Sequence, residues 1–242
     1  MLDQLDITKV LFLDIETVSQ KKTYSELTET EKYLWGKKTD LLNSRNIESV
    51  SPEEMYGRAG IYAEFGKIVC ISVGYIIAGS SPVLRIKSFY GHDEKELLTN
   101  FGSLVGGHFS NPDQFLCGHN GKEFDFPYIA RRMLVNGVDI PDPLNTPGKK
   151  PWEVNHLDTM ELWKFGDRKN FTSLEVLAHI FNIPTPKDDI DGSEVGRVYW
   201  EEDDVERIME YCQKDVVTTT QLMMRYMNRP LIKEENVEFV NR

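Results

Sequence analysis

Three short motifs carry side chains that can bind metal ions. Asp14 and Glu16 are two residues apart, Asp125 precedes a Phe-Pro pair, and Tyr211 stands four residues before Asp215. Carboxylate oxygens are ligands that Mg²⁺ and Mn²⁺ prefer. Clustered carboxylates repel one another, whereas two divalent cations about 3.5–4 Å apart would relieve the repulsion and clamp a phosphate under attack. The motifs therefore predict metal-assisted hydrolysis if the fold brings them together.

Each motif alone also fits a purely structural role. An acidic pair at a strand end is often only solvated, and an Asp just before a helix, such as Asp125, is commonly an N-cap. Asp215 fits the polar face of a helix beside a half-buried Tyr211, because positions i and i+4 share one face. The structural explanation is weaker for Asp14 and Glu16, because the strand around them is strongly apolar and buried carboxylates need a partner such as a cation.

The predicted elements can bring the motifs to one place. Residues 10–17 are a β-branched apolar run and predict a buried central strand, on which Asp14 and Glu16 leave the same face. Residues 67–77 and 83–90 predict an antiparallel hairpin, since a turn-rich segment joins them. The order favours a mixed sheet with its middle strand first in the chain and helices on both faces. The later predicted elements are a helix from about 93, a strand at 115–120, a helix from about Pro127 to 136–137, an edge strand at 153–159, a helix started by a capping box of Thr172 and Glu175, and a last helix from about 202.

Composition excludes several classes of protein. The chain has 242 residues, 40% of them hydrophobic, which is enough for a substantial core. Its net charge of −11 argues against a protein that coats duplex DNA, but it suits a site that holds a phosphodiester through cations. No apolar run approaches the roughly 20 residues of a membrane span, and we expect a cytoplasmic protein. Cys70, Cys117 and Cys212 are widely spaced among apolar neighbours and predict buried thiols.

The predicted organisation is a single domain at 1–229 followed by a short charged tail at 230–242, which we expect either to be disordered or to dock on a partner. A polar, partly helical insertion is expected at about 20–64. The acidic loop at 187–192 does not predict a calcium site, because the ends of its twelve-residue frame lack carboxylates. The insertion carries aromatic residues that fit packing as well as binding, namely Tyr24, Tyr33, Trp35, Tyr56 and Tyr62.

In this order and spacing, the motifs resemble the DEDD superfamily of 3'-5' exonucleases, in its tyrosine subclass. The histidine subclass would carry a His at the position of Glu210. The resemblance extends from residue 10 to about 227, and is to the proofreading domain of family B DNA polymerases and to stand-alone bacterial proteins predicted to be related to it. The matching residues are Asp14 and Glu16 in the first motif, Asn120 to Asp125 in the second, and Tyr211 and Asp215 in the third.

The resemblance implies an α/β ribonuclease-H-like fold with a mixed five-stranded sheet in the order 3-2-1-4-5, flanked by helices. It also implies hydrolysis of single-stranded or frayed 3' ends to nucleoside 5'-monophosphates with two divalent cations, Mg²⁺ or Mn²⁺. Asp14 would bridge both ions, while Glu16 and Asp215 would complete the site of the attacking water. Asp125 would hold the second ion, and Tyr211 would orient the water.

Further candidate residues would contact the substrate. The resemblance implies substrate contacts at Thr17, Asn120, Phe124, Tyr128 and Asp158, and Ser173-Leu174 resembles the start of a helix in these enzymes. Five basic residues are candidate phosphate contacts, namely Arg131, Arg132, Lys164, Arg168 and Lys169.

Alternatives of other classes stay open at this point. We expect a DNA strand as the substrate, but the motifs would bind metal and phosphate rather than sugar, so an exoribonuclease is the main alternative. A catalytically idle nucleic-acid-binding module of the same fold is a second, and a small-molecule phosphatase is a third. Any proofreading would occur in trans with a partner polymerase.

Overall fold

A mixed β-sheet forms the centre of the protein, whose computed structural model describes residues 2–44, 49–167, 171–185 and 190–240. The strands in these residues are β1 (Val10–Ser19), β2 (Gly66–Ile77), β3 (Val83–Tyr90), β4 (Phe115–Gly118), β5 (His156–Asp158) and β6 (Val237–Phe239). They lie in the order β5-β4-β1-β2-β3-β6. β1 is antiparallel to β2 and parallel to β4, so it is paired along both edges.

The prediction of a mixed sheet flanked by helices is confirmed, and its strand order is right for the five strands that it contained. The strand count is wrong, because β6 adds a sixth strand parallel to β3 at the sheet edge. This strand comes from the charged tail, which docks on the protein's own sheet. The guanidinium of Arg85 on β3 pairs with Glu238 on β6 at 2.8 Å. Three residues are too few to show strand alternation, which is why this element could not be predicted from the sequence.

Helices cover both faces of the sheet. The helices in the described residues are α1 (Glu29–Asn43), α2 (Pro52–Met55), α3 (Glu94–His108), α4 (Asp125–Asn136), α5 (Thr159–Lys164), α6 (Leu174–Ile180), α7 (Val195–Arg197) and α8 (Val205–Tyr226). The α8 helix packs across β1, β2 and β3 on one face, and α3 and α4 lie against β2 on the other. Gly74 on β2 permits the close approach of α8, since a Cβ there would lie 2.8 Å from Cγ1 of Val216. A π-helical turn (Val198–Glu202) follows α7.

The alternation of side chains along β1 divides the core into two layers. Leu11, Leu13 and Ile15 point into the cluster beneath α3 and α4. Phe12 points to the other face and packs in the cluster that contains Val216 of α8. Asp14 and Glu16 have the parity of Phe12, so the strand directs them towards α8.

The segment between β1 and β2, which the sequence predicted to be an insertion, has a small hydrophobic core of its own. Trp35 is fully buried, packs against Tyr56 and donates a hydrogen bond from its indole to the carbonyl of Pro52 at 2.7 Å. Tyr33 lies on the surface, with 60% of its area exposed. Tyr24 and Tyr62 pack against the same cluster, so packing accounts for four of the five aromatic residues named for this segment.

One predicted phosphate contact is wrong, because Arg132 is buried and belongs to a structural ion pair. Its guanidinium donates to both carboxylate oxygens of Glu94, at 2.9 and 2.6 Å, and to the carbonyl of Ala63 at 2.8 Å. Glu94 also accepts the backbone amide of Ile68 at 2.7 Å. The pair therefore ties α3, α4 and the start of β2 together.

The predicted capping box of α6 is also wrong. Ser173 is the N-cap, in extended conformation, and its hydroxyl accepts the amide of Val176. Thr172 lies one residue earlier, where its hydroxyl would be out of register with the first turn. Within the described residues, no helix combines the length and the apolar character that crossing a membrane requires.

Candidate active site

The first acidic pair lies on the central strand beneath α8. Asp14 is opposite Ser72 and Glu16 is opposite Cys70 on β2, and the pairing shifts by a bulge between Glu16 and Thr17. Glu16 is only 8% exposed, yet its side chain makes no hydrogen bond or ion pair within the described part of the chain. Such a group is costly to keep ionised without a partner.

Asp125 reaches the same strand from the start of α4. Phe124 occupies the N-cap position without a side-chain hydrogen bond, and Asp125 is the first helical residue. Its carboxylate accepts the backbone amide of Ile15 at 3.1 Å. The N-cap role that the sequence favoured for Asp125 is therefore replaced by a bond to β1, which holds the carboxylate beside the acidic pair.

The third motif lies on α8. Tyr211 and Asp215 are one helical turn apart, and Cys212 shares their face because it stands three residues before Asp215. The thiol of Cys212 donates to the backbone carbonyl and to the carboxylate of Asp14, both at 3.4 Å. These contacts fix the position of α8 over the acidic end of β1.

Burial and mutual repulsion raise the pKa values of the acids. Burial is the largest cause for Asp14, followed by the charges of Asp125, Asp215 and Glu16. The pKa of Glu16 is also raised well above its usual value, first by burial and next by Asp215. Burial raises the pKa of Asp125 to about 7, although its backbone hydrogen bonds oppose the shift. All four carboxylates therefore act on one another.

The phenol of Tyr211 is kept neutral by this environment. Burial raises its pKa, and the charges of Asp215, Glu16 and Asp14 raise it further. A neutral phenol can donate a hydrogen bond but has no capacity to act as a base. Tyr211 is thus suited to orienting a molecule in the site.

The donor set fits divalent cations. No lysine or arginine is among the leading influences on the pKa of Asp14, Glu16 or Asp125 within the described residues. A hard cation would neutralise these mutually repelling carboxylate oxygens. Among them are the oxygens of Glu16, for which the described residues provide no hydrogen bond or ion pair. One oxygen each of Asp14 and Glu16 and the sulfur of Cys212 lie within 4.8 Å of one another.

Cys212 is the member of this group that the sequence missed. The prediction of buried thiols is confirmed, since all three cysteines are buried and free. The available signal was the helical spacing of Cys212 to Asp215, which places a sulfur on the acidic face.

Asp158 organises the loop of the second motif. Its carboxylate accepts four backbone amides, those of Asn120 (3.0 Å) and Lys122 (3.1 Å) and those of Met160 (3.0 Å) and Glu161 (3.2 Å) in α5. It is 3% exposed. The carboxylate is therefore engaged by the protein and acts as a brace between the loop and α5.

The other four candidate substrate contacts are buried or partly buried. Asn120 has a left-handed backbone (φ 64°), and its side-chain oxygen is buried without a hydrogen-bond partner among the described residues. Tyr128 is in the core and donates its hydroxyl to the carbonyl of Gly60 at 2.7 Å. Phe124 is partly buried and packs on Tyr128, with ring centroids 5.4 Å apart. Thr17 is partly buried on β1, just beyond the bulge.

A cleft of about 510 Å³ adjoins Asn120 and Asp158. Its walls include Lys122 and Phe171, and the ammonium of Lys164 lies 4.4 Å from the centre of the Phe171 ring. Arg131 is exposed on α4, whereas Arg168, Lys169 and residues 187–189 of the acidic loop lie outside the described residues.

Comparison with known proteins shows the family of the chain. Residues 61–238 match a family described as predicted 3'-5' exonucleases related to the exonuclease domain of PolB, a segment that begins after Asp14 and Glu16. DNA polymerases of Pyrococcus glycovorans and Desulfurococcus sp. (strain Tok) are 24% and 25% identical to the chain over 142 residues. That alignment covers 53% of the chain but only 18% of either polymerase.

A solved structure has a similar fold. The family B DNA polymerase from the hyperthermophilic archaeon Pyrobaculum calidifontis aligns with a TM-score of 0.55 and 16% identity, over 90% of this chain and 24% of the polymerase. The family match covers well over half of the chain and contains the second and third motifs. The chain belongs to the family of 3'-5' exonucleases related to the exonuclease domain of PolB.

Proposed function

We propose that this protein is a metal-dependent 3'-5' exonuclease that hydrolyses single-stranded or frayed 3' ends of DNA to nucleoside 5'-monophosphates. The observation that carries the proposal is the convergence of four carboxylates from β1, α4 and α8, namely Asp14, Glu16, Asp125 and Asp215. They lie close enough for the charge of one to raise the pKa of another. Family membership supports the same reaction.

The four carboxylates would hold two divalent cations, Mg²⁺ or Mn²⁺. When bound, such ions stabilise charge on the phosphate and make water a better nucleophile. The charges of Asp125, Asp215 and Glu16 all act on the carboxylate of Asp14, so the four carboxylates would share in holding the ions. Asp125 is held beside β1 by the amide of Ile15, which accounts for its place next to the acidic pair.

Tyr211 would orient the attacking water. Its raised pKa keeps the phenol protonated at any ordinary pH, so that it donates a hydrogen bond and leaves proton removal to other groups. With this role for Tyr211, the protein would belong to the tyrosine subclass.

The cleft beside Asn120 would receive the end of the strand. Asn120 lines this cleft, and its buried side-chain oxygen has no hydrogen-bond partner among the described residues. Phe165 is 94% exposed and Phe171 67% exposed, and aromatic faces stack on bases without sequence preference. Lys164 lies on the Phe171 ring, where its ammonium can meet a phosphate.

The test is a degradation assay on the full chain. A 5'-labelled single strand should shorten stepwise in Mg²⁺ or Mn²⁺ and stay intact in EDTA. Asp14→Ala and Asp215→Ala should abolish shortening. Asp113→Ala should retain the parent rate, because that exposed carboxylate pairs with Lys9 before β1.

The results separate the alternatives. Full activity in both Asp14→Ala and Asp215→Ala would remove the site assignment. A matched RNA strand tested in parallel decides between deoxyribonuclease and ribonuclease action. No cleavage of either strand would favour an idle binding module.

A further inference from the structure

We propose that a second cavity, which continues the cleft beside Asn120, binds the part of a single-stranded nucleic acid that precedes the reacting 3' end. The inference rests on the proposed function for the position of that end at the acidic residues. It adds a strand-binding surface formed mainly by residues 144–156, outside the carboxylates that would hold metal.

The two cavities form one path across the edge of the sheet. The second has a volume of about 390 Å³, and both are lined by Lys122 and Glu161, whose side chains form an ion pair where the cavities meet. Asn120 and Asp158 line the first cleft, which therefore lies beyond the carboxyl ends of β4 and β5. Both strands run parallel to β1, so their carboxyl ends and the acidic end of β1 share one edge of the sheet. A strand that ends at the acids can pass through the cleft into the second cavity.

The charge of the second cavity suits a phosphate backbone. Among the described residues, Glu161 is the one carboxylate that lines it, and Lys122 already pairs with this group. Lys149 lines it too, and its exposed ammonium donates to the backbone carbonyl of Asp142 at 3.2 Å but forms no ion pair in the part of the chain that the structure describes. The lining therefore carries net positive charge although the whole chain carries −11, and an anionic strand is the complementary ligand.

Exposed aromatic rings lie along this path. Trp152 follows Pro151, which lines the second cavity, and has 76% of its area exposed. The ammonium of Lys150 lies 5.3 Å from the centre of the Trp152 ring, much as Lys164 lies over Phe171 in the cleft. Bases stack on aromatic faces whatever their sequence, and a neighbouring ammonium can contact the phosphate of the same nucleotide. Two such pairs suit a strand better than a small anion, which needs no stacking surface.

Strand binding in EDTA tests the proposal without cleavage. The probe is a labelled single DNA strand of about 12 nucleotides, and its affinity is measured by fluorescence anisotropy at several salt concentrations. Lys149→Ala should weaken binding about fivefold and lower the slope of log affinity against log salt by about 0.7, because one phosphate contact is lost. Trp152→Ala should weaken binding about fivefold to a hundredfold through the loss of one stacked base.

Two control variants remove similar side chains elsewhere. Lys87 is exposed on β3, four strands away from β5, and its ammonium lies 5.3 Å from the centre of the Phe89 ring. Tyr33 is exposed on α1, with the ammonium of Lys37 at 4.6 Å from its ring centre. Lys87→Ala and Tyr33→Ala should bind the strand as the parent does. Unchanged affinity in Lys149→Ala or Trp152→Ala, or equal losses in the controls, would overturn the proposal.

Cross-linking locates the strand on the protein. A strand with 5-iodouracil, which cross-links to an aromatic ring on which it stacks, should attach to Trp152 from an internal position and not from the 3'-terminal position. Attachment to Trp152 from the 3'-terminal base alone, or from no position, would refute the path. Both measurements are made in EDTA, so a protein that binds strands in this way but never cleaves them would contradict the proposed function and leave this inference standing.

Discussion

The metal-free protein should lose stability as the pH rises from about 5 to about 7, and Asp125 should account for a measurable part of the loss. Burial raises the pKa of Asp125 from its ordinary value of 3.8 to about 7. Between these values the folded protein holds a proton on Asp125 that the unfolded chain has released. Because the folded state then binds more protons, its stability falls as the pH rises through this window.

The magnitude follows from the two pKa values. Each pH unit over which the folded and unfolded states differ by one full proton changes stability by about 1.36 kcal/mol. Asp125 is nearly fully protonated in the folded state at about pH 5 and about half protonated at about pH 7. Integration over this interval gives a loss of about 2 kcal/mol. Asp14 and Glu16 act in the same direction, because their pKa values are also raised.

Asp125→Asn isolates this contribution. An amide oxygen at position 125 can still accept the amide of Ile15, so the hydrogen bond to β1 is retained while the titration is removed. Buried His119 and His156 have lowered pKa values, which favour the folded state as the pH rises towards about 6.5, but they are common to both proteins and cancel in the comparison.

The assay is urea unfolding in EDTA at about pH 5 and about pH 7, followed by circular dichroism. The stability of Asp125→Asn relative to the parent should increase by about 2 kcal/mol between the two conditions. Adding Mn²⁺ at about 100 times its dissociation constant should stabilise the parent by about 2.7 kcal/mol at neutral pH. An equal difference between the two proteins at both pH values would refute the reasoning.

Three further outcomes are expected. Tyr211→Phe should lower turnover by about tenfold to a hundredfold with unchanged Mn²⁺ affinity, since only the orientation of the water is lost; equal parent and variant rates in single-turnover assays would exclude this role. Arg132→Met should lose about 3–5 kcal/mol in urea unfolding because Glu94 is left buried and unpaired, and adding Glu94→Gln should recover part of it. Asp158→Ala should weaken binding of a single strand and destabilise the fold by about 1–3 kcal/mol, because the loop amide of Asn120 loses its acceptor; unchanged binding, measured by fluorescence anisotropy, would show that the brace does not position the cleft.

The periodicity of the sequence predicted the central elements because their signals are local. The run of apolar residues around Asp14 and Glu16 predicted a buried strand, and the structure extends it only to Ser19. The i, i+4 spacing of Tyr211 and Asp215 predicted a shared helix face in the same way. A strand or helix of this length carries enough repeats of its own pattern to be recognised.

Contacts between distant parts of the chain could not be predicted in this way. The oxygen of Asp125 bonds a residue 110 positions away, and the local pattern before α4 indicated only an N-cap. Arg132 looked like a surface cation because the sequence does not show that Glu94 lies behind it. Cys212 was predicted correctly as a buried thiol, but its distance from the acids depends on how α8 crosses β1.

The rigidity of the framework links stability to the proposed chemistry. β1 is paired on both edges, and α8 is packed over it through Phe12 on one side of the acids and Val18 on the other. The carboxylates therefore cannot move apart, and only a proton or a cation can reduce their repulsion. Protons serve this purpose at acidic pH, whereas the same repulsion becomes affinity for cations as the pH rises and the carboxylates lose their protons. Neutralising Asp125 should for this reason stabilise the metal-free protein and weaken metal binding together.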